Sequence, residues 1–134
     1  MKFLLDTHAL LFWLNDDDRL GPKARELIAD PVNDVLVSWA SLWEIVVKMR
    51  VGRLAADIGE VLDATEGSGF LWLAIEPAHL VTLAALPTHH RDPFDHLLIA
   101  QAIAEKAAFI SADANARRYP LEIVSCSGRT RRRS

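Results

Sequence analysis

A single cysteine, Cys126, in 134 residues leaves no partner for an intrachain disulfide, so packing rather than cross-linking must hold this chain together. Long apolar runs are missing as well. The stretch FLLDTHALLFWL is interrupted by Asp6 and His8, which the apolar core of a secretory leader would not tolerate, and nothing approaches the roughly 20 apolar residues of a membrane span. These absences lead us to expect a cytoplasmic chain without a membrane segment. There is no Gly-rich phosphate loop and no G-x-S-x-G turn, which argues against phosphate-cradling and serine-nucleophile enzymes. No Cys/His set has the spacing of a zinc site, since Cys126 is alone and His89 and His90 are adjacent. Positive charge is scarce outside the end of the chain. Four of the 15 Lys and Arg residues are Arg129, Arg131, Arg132 and Arg133, which leaves 11 against 18 acidic residues. A net-acidic body excludes a broad basic nucleic-acid groove but leaves room for a small site where metal ions offset carboxylates.

What the chain does have is apolar material: 51% of its residues are hydrophobic, ample for one domain core. Residues 1–126 read as one domain and 127–134 as an Arg-rich, disordered tail. KFLL, DVLVS, FLWLAI, AAFIS and LEIVS read as short strands. Between them lie helical patterns in THALLFWL, PKARELIAD, the segment around residues 39–50, DIGEVLDATEG, PAHLVTLAAL and Pro93 to about Lys106, with a brief helical piece before the last strand. Leu42, Ile45, Val46 and Met49 fall at i, i+3, i+4 and i+7, one face of a helix. Trp43 and Val47 widen that helix's apolar surface, as a second core contact or as a surface for a partner. Alternating strands and helices imply an α/β fold with a parallel sheet. Sites in such sheets form at the carboxyl ends of strands, where the strand order reverses.

Four acids are tested by that edge. Asp6 directly follows KFLL and Asp113 follows AAFIS by one residue, so both sit at strand ends, although each is also placed to cap a helix. Asp95 occupies the first turn of a helix in DPFD, where Asp92 as cap and Pro93 at the first helical position make an ordinary helix start. Glu44 stands four residues before Lys48, the spacing of a solvent-exposed pair. Carboxylates gathered at one edge repel one another unless they are protonated or bridged by a cation. Oxygen-liganded Mg²⁺ or Mn²⁺ suits such a set, and the matching chemistry is phosphodiester hydrolysis.

LLDTHALLFWL, SWASLWEIVVKMRVGRL, HRDPFDHLLIAQA and FISADANARRYPLEIV, in this order, resemble the PIN-domain ribonucleases of the VapC toxin type, over Met1 to about Val124. The resemblance implies a three-layer α/β/α sandwich around a short parallel sheet and a Mg²⁺- or Mn²⁺-dependent endoribonuclease acting on RNA. It also implies a small cognate antitoxin as partner and a homodimer. Carried over, Asp6, Glu44, Asp95 and Asp113 become the catalytic and metal-binding acids, with Ser111 close to the metal site; Thr7, and His90 because it precedes the helix that carries Asp95, are further peripheral candidates. Asp92 is left as a cap. A PIN-like module that binds RNA or protein without cleaving it is the alternative. Phosphatases of the haloacid dehalogenase type need a second aspartate where this chain has His8, and a phospho-receiver domain finds only Glu76 where it needs an acceptor aspartate. At the sequence level, Asp95→Asn is expected to move the metal-free thermal midpoint little, because lost helix-end stabilisation opposes relieved repulsion.

Overall fold

A computed structural model describes residues 1–88 and 92–127. His90 and the tail from residue 128 onward, both singled out above, lie outside the described residues. The elements alternate as expected. They are β1 (Lys2–Leu5), α1 (Thr7–Leu14), α2 (Pro22–Ala29), β2 (Asp34–Ser38), α3 (Trp39–Arg50), α4 (Ile58–Gly67), β3 (Leu71–Leu73), α5 (Pro77–Ala84), α6 (Pro93–Glu105), β4 (Ala108–Ser111) and β5 (Ile123–Ser125), with a 3₁₀ turn at Ala114–Arg118. β3 is shorter than the six apolar residues of FLWLAI because it is an edge strand with three register partners on β2, Leu36, Val37 and Ser38.

The five strands are parallel in the order β3-β2-β1-β4-β5. Every strand of such a sheet needs apolar side chains on both faces, because crossover helices cover both. Alternate residues divide accordingly. Phe3, Leu5, Val35, Val37, Ala108 and Ile110 pack with residues of α1, α2, α3 and α4, whereas Leu4, Leu36, Leu73 and Phe109 pack with α6 and Tyr119, flanked by Leu83 of α5. The result is the expected three-layer α/β/α arrangement. On the second face, fully buried His79 joins α5 to α6: its Nδ1 accepts the Glu76 N–H at 2.9 Å and its Nε2 lies 2.9 Å from the Glu105 carboxylate.

From β1 the chain moves outward to β2 and β3, then returns to place β4 on the other side of β1. The strand order therefore reverses between β1 and β4. Their carboxyl ends stay tied beyond the ladder, where the Asp6 N–H donates to the Ile110 carbonyl at 2.9 Å. That bond sets Asp6 beside Ser111.

Candidate active site

Asp6 is almost completely buried, with 1% of its surface exposed. Its two oxygens have different partners. Oδ1 accepts the Ala9 N–H at 2.7 Å, capping α1, while Oδ2 accepts the Ser111 hydroxyl and the Ala112 N–H, each at 2.9 Å. Burial nevertheless dominates and raises the carboxyl above the usual aspartate range, against the lowering effect of these bonds.

Glu44 corrects the expectation of an exposed pair. The bond to Lys48 exists, with Nζ to Oε2 at 2.6 Å, but the Glu44 carboxylate is 1% exposed and only Lys48 reaches solvent. The second oxygen, Oε1, accepts the Thr7 hydroxyl at 2.6 Å. Thr7 follows Asp6 directly, so α1 presents one residue to each of two carboxylate positions. The apolar stripe of α3 is also narrower than its spacing implies: Leu42 and Ile45 are buried, whereas Val46 and Met49 are half-buried.

Asp95 lies in the first turn of α6, behind the cap Asp92, whose Oδ1 accepts the N–H groups of Phe94 at 2.9 Å and Asp95 at 3.4 Å. Burial pushes the Asp95 carboxyl up to about 8, and the charges of Asp92, Asp6, Glu44 and Asp113 add to the rise. Asp113 is half-buried at the start of the turn after β4, and its N–H donates to the Ser111 hydroxyl at 3.0 Å. Ser111, itself buried, thus links the ends of β1 and β4. The four acids read from the sequence share one electrostatic neighbourhood centred on Asp95. They do not form a closed cage: among the described residues no three His, Cys, Asp or Glu side chains are grouped to hold a metal ion.

Three features escaped the sequence reading. Lys48 carries the counter-charge of a buried carboxylate, which the i, i+4 pattern cannot distinguish from a surface pair. Asp92 is more than a cap, since among the neighbouring charges its carboxylate acts most strongly on Asp95. Beyond Ser111 and Asp113 opens a cleft of about 630 Å³ with Arg19 and Arg117 in its walls. No local motif marks it, because it is assembled from α1, the loop before α2 and the end of the chain. His8 is exposed and lies 6.2 Å from the Phe12 ring.

Solved structures share this architecture. A chain of the VapBC2 complex from Rickettsia felis, bound to a DNA fragment from its promoter, superposes with a TM-score of 0.71 at 19% identity, covering 93% of this chain and 98% of that one. The DNA-bound VapBC of Salmonella typhimurium gives 0.70 at 16% identity, covering 94% and 98%. VapBC-5 of Mycobacterium tuberculosis, described as a member of a family of toxin-antitoxin systems, gives 0.60 at 18%, covering 92% and 98%. A comparison with curated proteins finds no match. The model of the PIN domain matches residues 3–121, from the first strand through the last candidate acid, and the chain therefore belongs to the PIN domain family.

Proposed function

We propose that this chain is a metal-dependent endoribonuclease that hydrolyses RNA phosphodiester bonds and acts as the toxin of a toxin–antitoxin pair. The observation that carries the reading is the concentration of carboxylate around Asp95 at the switch point, where Asp6, Glu44, Asp92 and Asp113 all act on one half-buried acid. An arrangement that costs stability in the absence of a cation serves a site that binds one.

The donor set fits Mg²⁺ or Mn²⁺. It is all oxygen, and Mg²⁺ is commonly held by one or two carboxylates with several retained waters rather than by a full protein cage, which suits an arrangement with no three-ligand group among the described residues. Asp6 and Asp95 would hold the ion, with Asp113 and Glu44 at its flanks. The bound cation would acidify the attacking water and neutralise charge on the phosphodiester. The chain's own residues have separate tasks. Ser111 and the Ala112 N–H fix the Asp6 oxygen that is not occupied in capping. Thr7 and Lys48 hold both oxygens of Glu44, so its charge stays in place beside the site. In the metal-free protein Asp95 keeps its proton at neutral pH, which limits the repulsion.

A small antitoxin and a second copy of the chain are the proposed protein partners. Solved relatives are described as VapBC complexes, and Trp39, Trp43, Leu80 and Val81 leave exposed apolar surface here. The test is cleavage of RNA by purified protein with Mg²⁺ or Mn²⁺, in EDTA, and with Asp6→Asn. Undiminished cleavage in chelator would overturn the metal mechanism. Cell growth with and without the antitoxin reading frame tests the toxin role separately.

A further inference from the structure

The cleft beyond Asp113 holds charge and flat surface that the carboxylate site does not use. Its volume, about 630 Å³, is typical of sites for small ligands. On one side the Arg19 guanidinium lies 4.5 Å from the centroid of the Phe12 ring. Asp17 holds the guanidinium in a fork, with Nη2 to Oδ2 at 2.6 Å and Nε to Oδ1 at 3.1 Å. A guanidinium pinned in this way, with one face on an aromatic ring, offers its other face as a stacking platform for a base. Arg117 lines the same cleft from the 3₁₀ turn. It is half-buried and, among the described residues, has no hydrogen-bond or ion-pair partner. A partly desolvated cation without a partner favours an anion. At the rim, the Ser125 and Ser127 hydroxyls lie 2.8 Å apart, and Ser111 and Asp113 join the cleft to the carboxylates.

We infer that this cleft is the subsite for one unpaired RNA nucleotide adjoining the scissile phosphodiester, with its base stacked on Arg19 and its phosphate paired with Arg117. The inference rests on the proposed nuclease reading for the identity of the ligand. Single-stranded RNA is favoured over duplex because an A-form helix keeps its bases stacked away from such a platform. Asp18 and Asp113 offset the two arginines in the cleft, so the subsite positions a strand rather than gripping it by bulk charge.

The test is fluorescence anisotropy with the full chain in EDTA, using a fluorescein-labelled mixed-sequence single-stranded RNA octamer and its duplex. Arg117→Gln should weaken single-strand binding about 5- to 20-fold and reduce the slope of log affinity against log salt by roughly 0.7, the value for one phosphate contact on a single strand. Arg117→Lys should restore the slope. Arg19→Gln should weaken binding of the single strand, and the duplex should bind less tightly than the single strand to the unmodified protein. The thermal midpoint of Arg117→Gln and the Mn²⁺-induced shift in midpoint of both arginine variants should match the unmodified protein, which separates a subsite role from loss of fold or metal. Unchanged RNA affinity and salt slope in Arg117→Gln, in a protein that binds and cleaves RNA, would overturn the subsite alone. If the unmodified protein neither binds nor cleaves RNA, the nuclease reading fails and the assignment of RNA to the cleft fails with it.

Discussion

Replacing Asp95 by Asn in metal-free protein should stabilise it, and increasingly so as pH rises. Asp95 titrates near 8 in the folded chain, against about 3.9 for an unperturbed aspartate. The folded state therefore holds this proton more tightly than the unfolded state. Below about pH 4 both states are protonated and Asp95 imposes no penalty. Between pH 4 and 8 the unfolded chain releases the proton while the folded one retains it, so stability falls as pH rises, and above pH 8 the loss is complete. Taken at face value the full loss is roughly 5–6 kcal/mol. Water reaches this half-buried side chain, and screening brings the figure to roughly 2–4 kcal/mol. The acid's favourable interaction with the helix N-terminus is worth about 0.3–1 kcal/mol, so burial and repulsion win. This outcome differs from the near-cancellation expected from sequence, which had no measure of how deeply Asp95 is buried. With EDTA present, the stability gap between Asp95→Asn and the unmodified protein should widen by about 1–3 kcal/mol between pH 5 and pH 8 and level off above. For a chain of this size that is roughly 3–12 °C in thermal midpoint. Calorimetric melts of both proteins across pH 5–9 measure it directly, and parallel midpoint curves would refute the reasoning.

Asp92→Asn should keep the cap, because Asn caps about as well as Asp. It should nevertheless remove part of the pH slope, since it deletes the neighbouring charge that acts most strongly on Asp95; melts identical to those of the unmodified protein across pH 5–9 would return Asp92 to a cap alone. Thr7→Val leaves the buried Glu44 carboxylate with one partner fewer, which should cost about 1–3 kcal/mol in urea denaturation. Thr7→Ser should recover most of that loss, and an unperturbed Thr7→Val midpoint would show the bond to be dispensable. RNA cleavage should require Mg²⁺ or Mn²⁺ and fall by orders of magnitude in Asp6→Asn, followed on gels with and without EDTA; a fully active Asp6→Asn protein would remove Asp6 from the site.

The order of strands and helices was legible because each strand is a short apolar run and each helix carries a start or stop signal, such as Pro22 and Pro93 in the first helical turn. Strand order was not spelled out by any residue. It follows only once β4 pairs with β1, through contacts between positions more than a hundred residues apart, such as Phe3 and Ala108. The placement of Asp6 and Asp113 at strand ends could be read from the preceding apolar residues alone. Glu44 could not be placed in this way. Its spacing to Lys48 is that of a surface pair, and only the packing of α3 against α1 buries it and brings Thr7 within 2.6 Å. The cleft was invisible for the same reason, since Phe12, Arg19, Asp113 and Arg117 have no common periodicity.

Capping a helix and facing a binding edge are compatible roles for one acid. Where a strand of a parallel sheet runs directly into a helix, as β1 runs into α1 and β2 into α3, the residue that caps the helix also stands at the edge where such sheets bind ligands. Asp6 satisfies both demands by dividing its oxygens: Oδ1 faces the Ala9 N–H of its own helix and Oδ2 faces Ser111 and Ala112 of the neighbouring strand end. Asp92 and Asp95 divide the same two demands between residues, one accepting the first N–H groups of α6 and the other standing within that first turn, where burial raises its proton affinity. Capping geometry thus directs carboxylates toward the switch point without any requirement for a ligand. What distinguishes the proposed site from ordinary helix punctuation is the sign of the effect on the charge: a cap in isolation has its charge favoured by the N–H groups it accepts, whereas Asp95 has its charge opposed first by burial and then by four neighbouring acids. That sign, favoured or opposed, is a property of the assembled edge and not of any one helix start.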